Sequence, residues 1–182
     1  METITNKINL VIGLGKSGYW AAKFLNSIGE RVIVLEEKIN DQIAIYKKDL
    51  ENIGIKVFLE FPFKFEKISQ WINNINYVIL SPAIDIENQT VLKLQNAGIK
   101  VLGEANIGWN YLKDINWVGI TGTNGKTTVT HLLSHILSHN KLNAPPAGNI
   151  GTPFCQYAYD YNYKKKLDWI IAELSSYQIE IA

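Results

Sequence analysis

Short runs of consecutive apolar residues alternate along the chain with longer segments in which apolar positions recur at helical spacing. The first pattern predicts strands buried on both faces, the second amphipathic helices. Strands are expected at residues 8–12, 31–35, 54–58, 77–80, 100–102, 117–120 and 167–172. Helices are expected at 19–28, 41–51, 87–97, 104–112 and 129–139, with a mixed helical segment at 66–75. Gly29 and Gly98 stop the first and the fourth of these helical segments. Such alternation predicts an α/β fold of parallel sheets joined by right-handed crossovers. The run Trp117–Ile120 reads as a buried strand. In the helix after it, Val129, Leu132, Leu133, Ile136 and Leu137 fall on one stripe at ~100° per residue, the face such a helix turns to a core.

Two glycine-rich loops interrupt this pattern. Gly13-Leu14-Gly15-Lys16-Ser17-Gly18 lies between the first strand and its helix, and the second strand ends in Glu36-Glu37. A G-x-G-x-x-G turn with an acid ~20 residues on is the dinucleotide fingerprint. Alone it says only that a diphosphate, or a tight strand–helix packing, is accommodated. The second loop, Thr121-Gly122-Thr123-Asn124-Gly125-Lys126-Thr127-Thr128, follows a strand and opens a helix, which is the order a phosphate-binding loop needs. Its glycines would let backbone N–H groups close around an anion, and the helix N-terminus adds its positive dipole end. Lys126 would reach the β- and γ-phosphates, and the Thr127 hydroxyl would hold Mg²⁺. The strict pattern G-x-x-x-x-G-K-[ST] places a glycine where Ile120 stands, so this loop is a variant. The alternative is a glycine turn followed by an ordinary lysine.

Further on, Gly148-Asn149-Ile150-Gly151 is either a plain connection or a loop whose Asn149 and backbone amides face phosphate. Glu173 ends the strand 167–172. A carboxylate at the end of a neighbouring strand holds Mg²⁺ in phosphate-loop proteins, and the other reading is a helix-capping acid. His131, His135 and His139 are spaced as helical zinc ligands can be. No cysteine or acid shares their face, which favours a polar flank.

Composition narrows the partners. Lys plus Arg is 18 and Asp plus Glu is 17, a net charge of +1, and the only basic run is Lys164-Lys165-Lys166, so a nucleic-acid partner is not expected. With the single cysteine, Cys155, no intrachain disulfide can form, which fits a reducing compartment. No apolar run approaches the ~18 residues of a membrane helix, and residues 8–12 give way at once to glycines, unlike a signal peptide. A cytoplasmic protein without a membrane partner is expected. A domain boundary is expected near residue 104, with a Rossmann-like unit at 1–104 and the first part of a phosphate-loop unit at 105–182.

Three motifs in order, residues 121–128, 148–151 and Glu-Leu-Ser-Ser-Tyr-Gln-Ile-Glu at 173–180, resemble the Mur ligase family, which builds the peptide stem of peptidoglycan. The last follows the Glu-Leu-Ser-Ser-Phe-Gln-Leu-Glu of the branch that adds D-glutamate. The L-alanine-adding branch instead has a His before Gly-Lys, the branch adding the third residue shows Glu-Val-Ser-Ser-His, and folylpolyglutamate synthetases have Gly-Lys-Gly-Ser. The resemblance implies an ATP-dependent acid–D-amino-acid ligase, using ATP and Mg²⁺ to join D-glutamate to UDP-N-acetylmuramoyl-L-alanine through an acyl phosphate. It implies Gly122, Thr123, Asn124, Gly125, Lys126, Thr127 and Thr128 for ATP, Thr127 and Glu173 for Mg²⁺, and Lys126, Asn149 and Glu173 for catalysis. Leu14, Gly15, Lys16, Ser17, Glu36, Ser81, Asn149 and Ser175 would bind substrate, the first unit taking its UDP part.

Two positions depart from the family: Ala83 follows Ser81-Pro82 where a glycine is usual, and Glu36 stands for an Asp. The family's downstream metal-site His, carbamylated Lys and third domain have no counterpart in this sequence. The resemblance thus implies an N-terminal fragment, inactive in ligation alone, of a full-length protein that is a monomer. The rival readings are an NAD(P)-dependent oxidoreductase, which leaves Gly-Lys-Thr-Thr unexplained, and a non-catalytic nucleotide-binding module.

Overall fold

The computed structural model describes residues 7–180, and two parallel sheets organise them. Residues 1–6 and 181–182, the outer limits of the two expected domains, lie outside the described residues. The chain divides into two compact units between Gly103 and Glu104.

The first unit runs β1 (Ile8–Ile12), α1 (Lys16–Ser27), β2 (Val32–Leu35), α2 (Asp41–Asn52), β3 (Lys56–Phe58), α3 (Phe65–Ile68) leading into a 3₁₀ turn (Ser69–Asn74), β4 (Ile75–Leu80), α4 (Gln89–Asn96) and β5 (Lys100–Gly103). Its five strands are ordered β3-β2-β1-β4-β5. β1 is central and buried at every position; its one polar residue, Asn9, donates to Glu30 Oε2 and accepts from Asn76 Nδ2. Leu10, Leu35, Val78, Leu80, Val91 and Leu94 fill the core on one face of this sheet. Ile12 pairs with both Leu35 and Leu80, so the segments after β1, β2 and β4 leave from one edge. The strand order reverses between β1 and β4, and the carboxyl end of such a switch point is a crevice. α1 begins at Lys16, three residues before the apolar spacing places it, and Gly18 lies inside it. A Cβ on Gly18 would stand 1.9 Å from the Gly13 carbonyl oxygen, so only glycine lets the helix approach the loop this closely. α2 and α4 start where sequence chemistry allows: the Asn40 and Asn88 side chains accept N–H bonds from Ile43 and Thr90.

The second unit runs α5 (Glu104–Leu112), β6 (Asn116–Ile120), α6 (Lys126–His139), β7 (Pro146–Gly148), α7 (Phe154–Asn162), β8 (Trp169–Glu173) and α8 (Ser176–Glu180), with strand order β6-β8-β7. β7 falls in a stretch that reads as a loop. It is an edge strand, where the N–H that Pro146 lacks is not needed by a second neighbour.

Two expectations fail here. β6 is not a buried strand: among the described residues it pairs with β8 alone, and none of its own residues is fully buried. The buried strand is β8, with a neighbour on each side. The apolar stripe of α6 faces the core only in part: Val129, Leu132 and Ile136 are 51%, 57% and 48% exposed. The inward face carries Thr130, which is fully buried, with Ser134 and the stripe's own Leu133 and Leu137 partly buried. The hydroxyls on that face are satisfied by backbone, Thr130 Oγ1 donating to the Lys126 carbonyl (2.8 Å) and Ser134 Oγ to that of Ala144 (2.6 Å). A satisfied hydroxyl can be buried at little cost, so Thr and Ser act here as small apolar residues.

Candidate functional site

The three strands of the second unit end abreast. Ile120 and Gly148 both lie opposite Glu173 in register, so the 121–125 loop, the Glu173 side chain and the 148–151 loop leave from one edge of the sheet. The Leu174 N–H donates to the Ile120 carbonyl and the Asn149 N–H to that of Glu173, both at 2.9 Å, which ties the strand ends together.

The Glu173 carboxylate is 2% exposed and holds two donors. The Thr127 hydroxyl donates to Oε2 at 2.9 Å, and Asn149 Nδ2 donates to Oε1 at 3.2 Å. Helix α6 presents Thr127 in its first turn, β8 presents Glu173 as its last residue, and the turn after β7 presents Asn149. Gly148 makes that turn possible. Its φ is +95°, and a Cβ there would lie 2.4 Å from the Glu173 carbonyl oxygen and 2.8 Å from Phe154 Cζ. Gly125 caps α6 with φ +76°, and Lys126 Nζ donates to the Gly122 carbonyl at 2.7 Å. Gly122, Thr123, Asn124, Gly125 and Thr128 are exposed to solvent. Ser175 is engaged in a cap of α8: its Oγ accepts the Gln178 N–H (3.2 Å), and its own N–H donates to Gln178 Oε1 (3.0 Å). A carboxylate and a hydroxyl side by side form the hard-oxygen pair that suits Mg²⁺, and exposed amides with a lysine suit phosphate.

In the first unit a cavity of ≈ 470 Å³ opens at the carboxyl edge of the sheet. Leu14, Gly15, Lys16, Glu36 and Ser81 line it, along with Tyr46, Phe61 and Phe63, while Ser17 lies outside its lining. The Leu14 side chain itself is fully buried. Glu36 already has partners: Oε2 accepts the Leu14 N–H (2.6 Å) and Oε1 that of Lys38 (2.8 Å). Aromatic faces, the cationic side chains of Lys16 and Lys38 and the start of α1 suit a nucleoside diphosphate.

Glu104 escapes sequence reasoning. It opens α5, where an acid reads as a complement to the helix dipole. In the structure it is 5% exposed and accepts the Cys155 N–H at the start of α7. Burial pushes its carboxyl up to about 7. The acid at a helix start was visible; its partner on α7, 51 residues away, was not.

A glycine-rich loop, a lysine and a hydroxyl opening a helix, and a strand-end carboxylate beside them define an α/β protein of the phosphate-loop type, here preceded by a Rossmann-like unit. The chain belongs to the Mur ligase family. The model of the Mur ligase MurD-like N-terminal domain matches residues 7–103, and that of the Mur ligase middle domain matches residues 120–181. A UDP-N-acetylmuramoylalanine–D-glutamate ligase of Prochlorococcus marinus (strain MIT 9515) is 58% identical over 176 residues, 97% of this chain and 37% of that protein. One from Synechococcus sp. (strain CC9605) is 42% identical over 175 residues, 95% of this chain and 38% of that protein. The chain thus spans well under half the length of these relatives. The murein peptide ligase of Psychrobacter arcticus 273-4 shares the fold, with TM-score 0.56 and 16% identity over 94% of this chain and 38% of that one. So does the UDP-N-acetylmuramate:L-alanyl-γ-D-glutamyl-meso-diaminopimelate ligase from Neisseria meningitides, with TM-score 0.55 and 18% identity over 92% of this chain and 52% of that one.

Proposed function

We propose that this chain supplies the UDP-substrate unit and the ATP-loop unit of a ligase that adds D-glutamate to UDP-N-acetylmuramoyl-L-alanine in peptidoglycan synthesis. The observation that carries the reading is the Thr127–Glu173–Asn149 cluster, set next to Lys126 at the ends of three parallel strands. The relatives' names supply the substrates.

Each side chain has a task under this reading. Lys126 gives up the Gly122 carbonyl and takes a phosphate oxygen, offsetting charge as a carboxylate and a triphosphate are brought together. Thr127 and Glu173 offer two oxygen ligands to Mg²⁺. Asn149 holds Glu173 by one carboxylate oxygen, leaving the other aimed at Thr127. Bound Mg·ATP would supply the phosphoryl group that activates the substrate carboxylate for attack by the D-glutamate amine. In the first unit, Lys16 and the first-turn amides of α1 take the diphosphate, Glu36 takes a donor on the base or ribose, and Ser81 closes the cavity. The setting proposed is the cytoplasm, and the full-length form a monomer.

Calorimetry tests this directly. The chain should bind UDP-N-acetylmuramoyl-L-alanine at the first unit and ATP more tightly with Mg²⁺ than in EDTA, and should not bind NAD⁺. Binding of NAD⁺ without binding of the UDP substrate would overturn the assignment of the first unit.

A further inference from the structure

α7 begins without a cap of its own. Its N-cap residue is Pro153, and no side chain of its own segment accepts from its first turn. Glu104 provides that acceptor from α5, taking the Cys155 N–H, and Cys155 Sγ lies 3.6 Å from the Glu104 carbonyl oxygen. Negative charge at a helix N-terminus is favourable, and an orphan N–H there needs a partner.

The contact continues from this cap toward the cluster. α5 and α7 touch at Gly108, where a Cβ would lie 2.3 Å from Phe154 Cβ. Phe154 precedes Cys155, and its ring packs against Gly148. Gly148 pairs with Glu173 and is followed by Asn149, which bonds to the backbone and carboxylate of that same residue. Glu104, Cys155, Phe154, Gly148 and Glu173 are therefore successive contacts in a packed interior, which transmits small displacements.

We propose that Glu104 is a positioning residue for the Thr127–Asn149–Glu173 cluster: by capping α7 from α5 it fixes Phe154 beneath Gly148, and so sets where Asn149 and the Glu173 carboxylate stand. The functional part of this inference rests on the reading of that cluster as an Mg·ATP site.

Two measurements on the 182-residue chain test it. The first is hydrogen exchange of the Asn149 amide without ligand. The second is the ratio of ATP affinity with Mg²⁺ to that in EDTA. Glu104→Ala should speed the exchange and lower the ratio by about fivefold, the scale of one lost hydrogen bond. Glu104→Gln keeps an acceptor for Cys155 and should restore both. Leu112→Ala, a cavity at the far end of the same helix, should lower the melting temperature with neither effect. Phe154→Leu leaves the cap in place but removes the ring, and should reproduce both effects even if Glu104→Ala does not fold. Unchanged exchange and ratio in Glu104→Ala or Phe154→Leu, or equal effects in Leu112→Ala, would overturn the proposal. An unchanged chain that binds no ATP, with the exchange effects intact, would remove the ATP reading and leave the positioning role standing.

Discussion

The Thr127 hydroxyl and the Glu173 carboxylate meet at 2.9 Å across 46 residues of sequence, joining the start of α6 to the end of β8. Under the Mg²⁺ reading proposed above each offers an oxygen ligand, but only Glu173 is an acid. Glu173→Gln should therefore reduce the Mg²⁺ enhancement of ATP binding by about tenfold or more, while ATP affinity in EDTA holds or rises as a negative charge leaves the phosphate site. Parallel titrations with and without Mg²⁺ check both signs.

Lys126→Ala should weaken ATP binding about 10- to 100-fold in both conditions, because a charge-assisted bond to phosphate does not depend on the metal. A loss confined to the Mg²⁺ titration would assign Lys126 to the wrong partner.

Gly18 and Gly15 separate folding from ligand approach in the first unit. An added Cβ at Gly18 meets the Gly13 backbone at 1.9 Å, whereas at Gly15 it meets nothing within 4 Å. Gly18→Ala should destabilise the first unit by about 1–3 kcal/mol or more. Gly15→Ala should leave its melting temperature unchanged and lower affinity for the UDP substrate, since the methyl group would enter the cavity. Thermal unfolding and calorimetry on the two variants distinguish these outcomes.

The Glu104 carboxyl, raised by burial from 4.5 to about 7, makes the second unit pH-dependent. Between these values the folded state keeps a proton that the unfolded chain has released, so the contribution to stability falls as pH rises through that window. The loss is on the order of 3 kcal/mol at most and is complete above pH ~7. The wild-type chain should lose more stability than Glu104→Gln between pH 5 and pH 8, measured by denaturant unfolding. The Cys155 thiol facing it is also raised by burial and stays neutral across this range.

The alternation of strands and helices was legible because strands such as β1 and β4 are mostly apolar and helices α2 and α4 carry Asn caps. The Thr127, Asn149 and Glu173 positions were legible as separate motifs, and the structure brings them together. What failed was orientation. Val129, Leu132 and Ile136 looked like a core face, but periodicity weighs hydroxyls as polar, and Thr130 and Ser134 had bonded theirs to backbone. β6 looked buried because an apolar run does not reveal how many neighbours a strand has. Glu104 was missed because its partner lies on another helix.

Under the ATP reading proposed above, the bond from Lys126 Nζ to the Gly122 carbonyl gives nucleotide binding the character of an exchange. A phosphate that draws Nζ away from that carbonyl exchanges one charge-assisted bond for another, so the heat evolved in that swap is the difference between the two. The same swap frees the glycine loop at the moment its cation is withdrawn. Loop rearrangement and lysine transfer should then proceed as one kinetic event, and capture of ATP should be slower than simple encounter would allow.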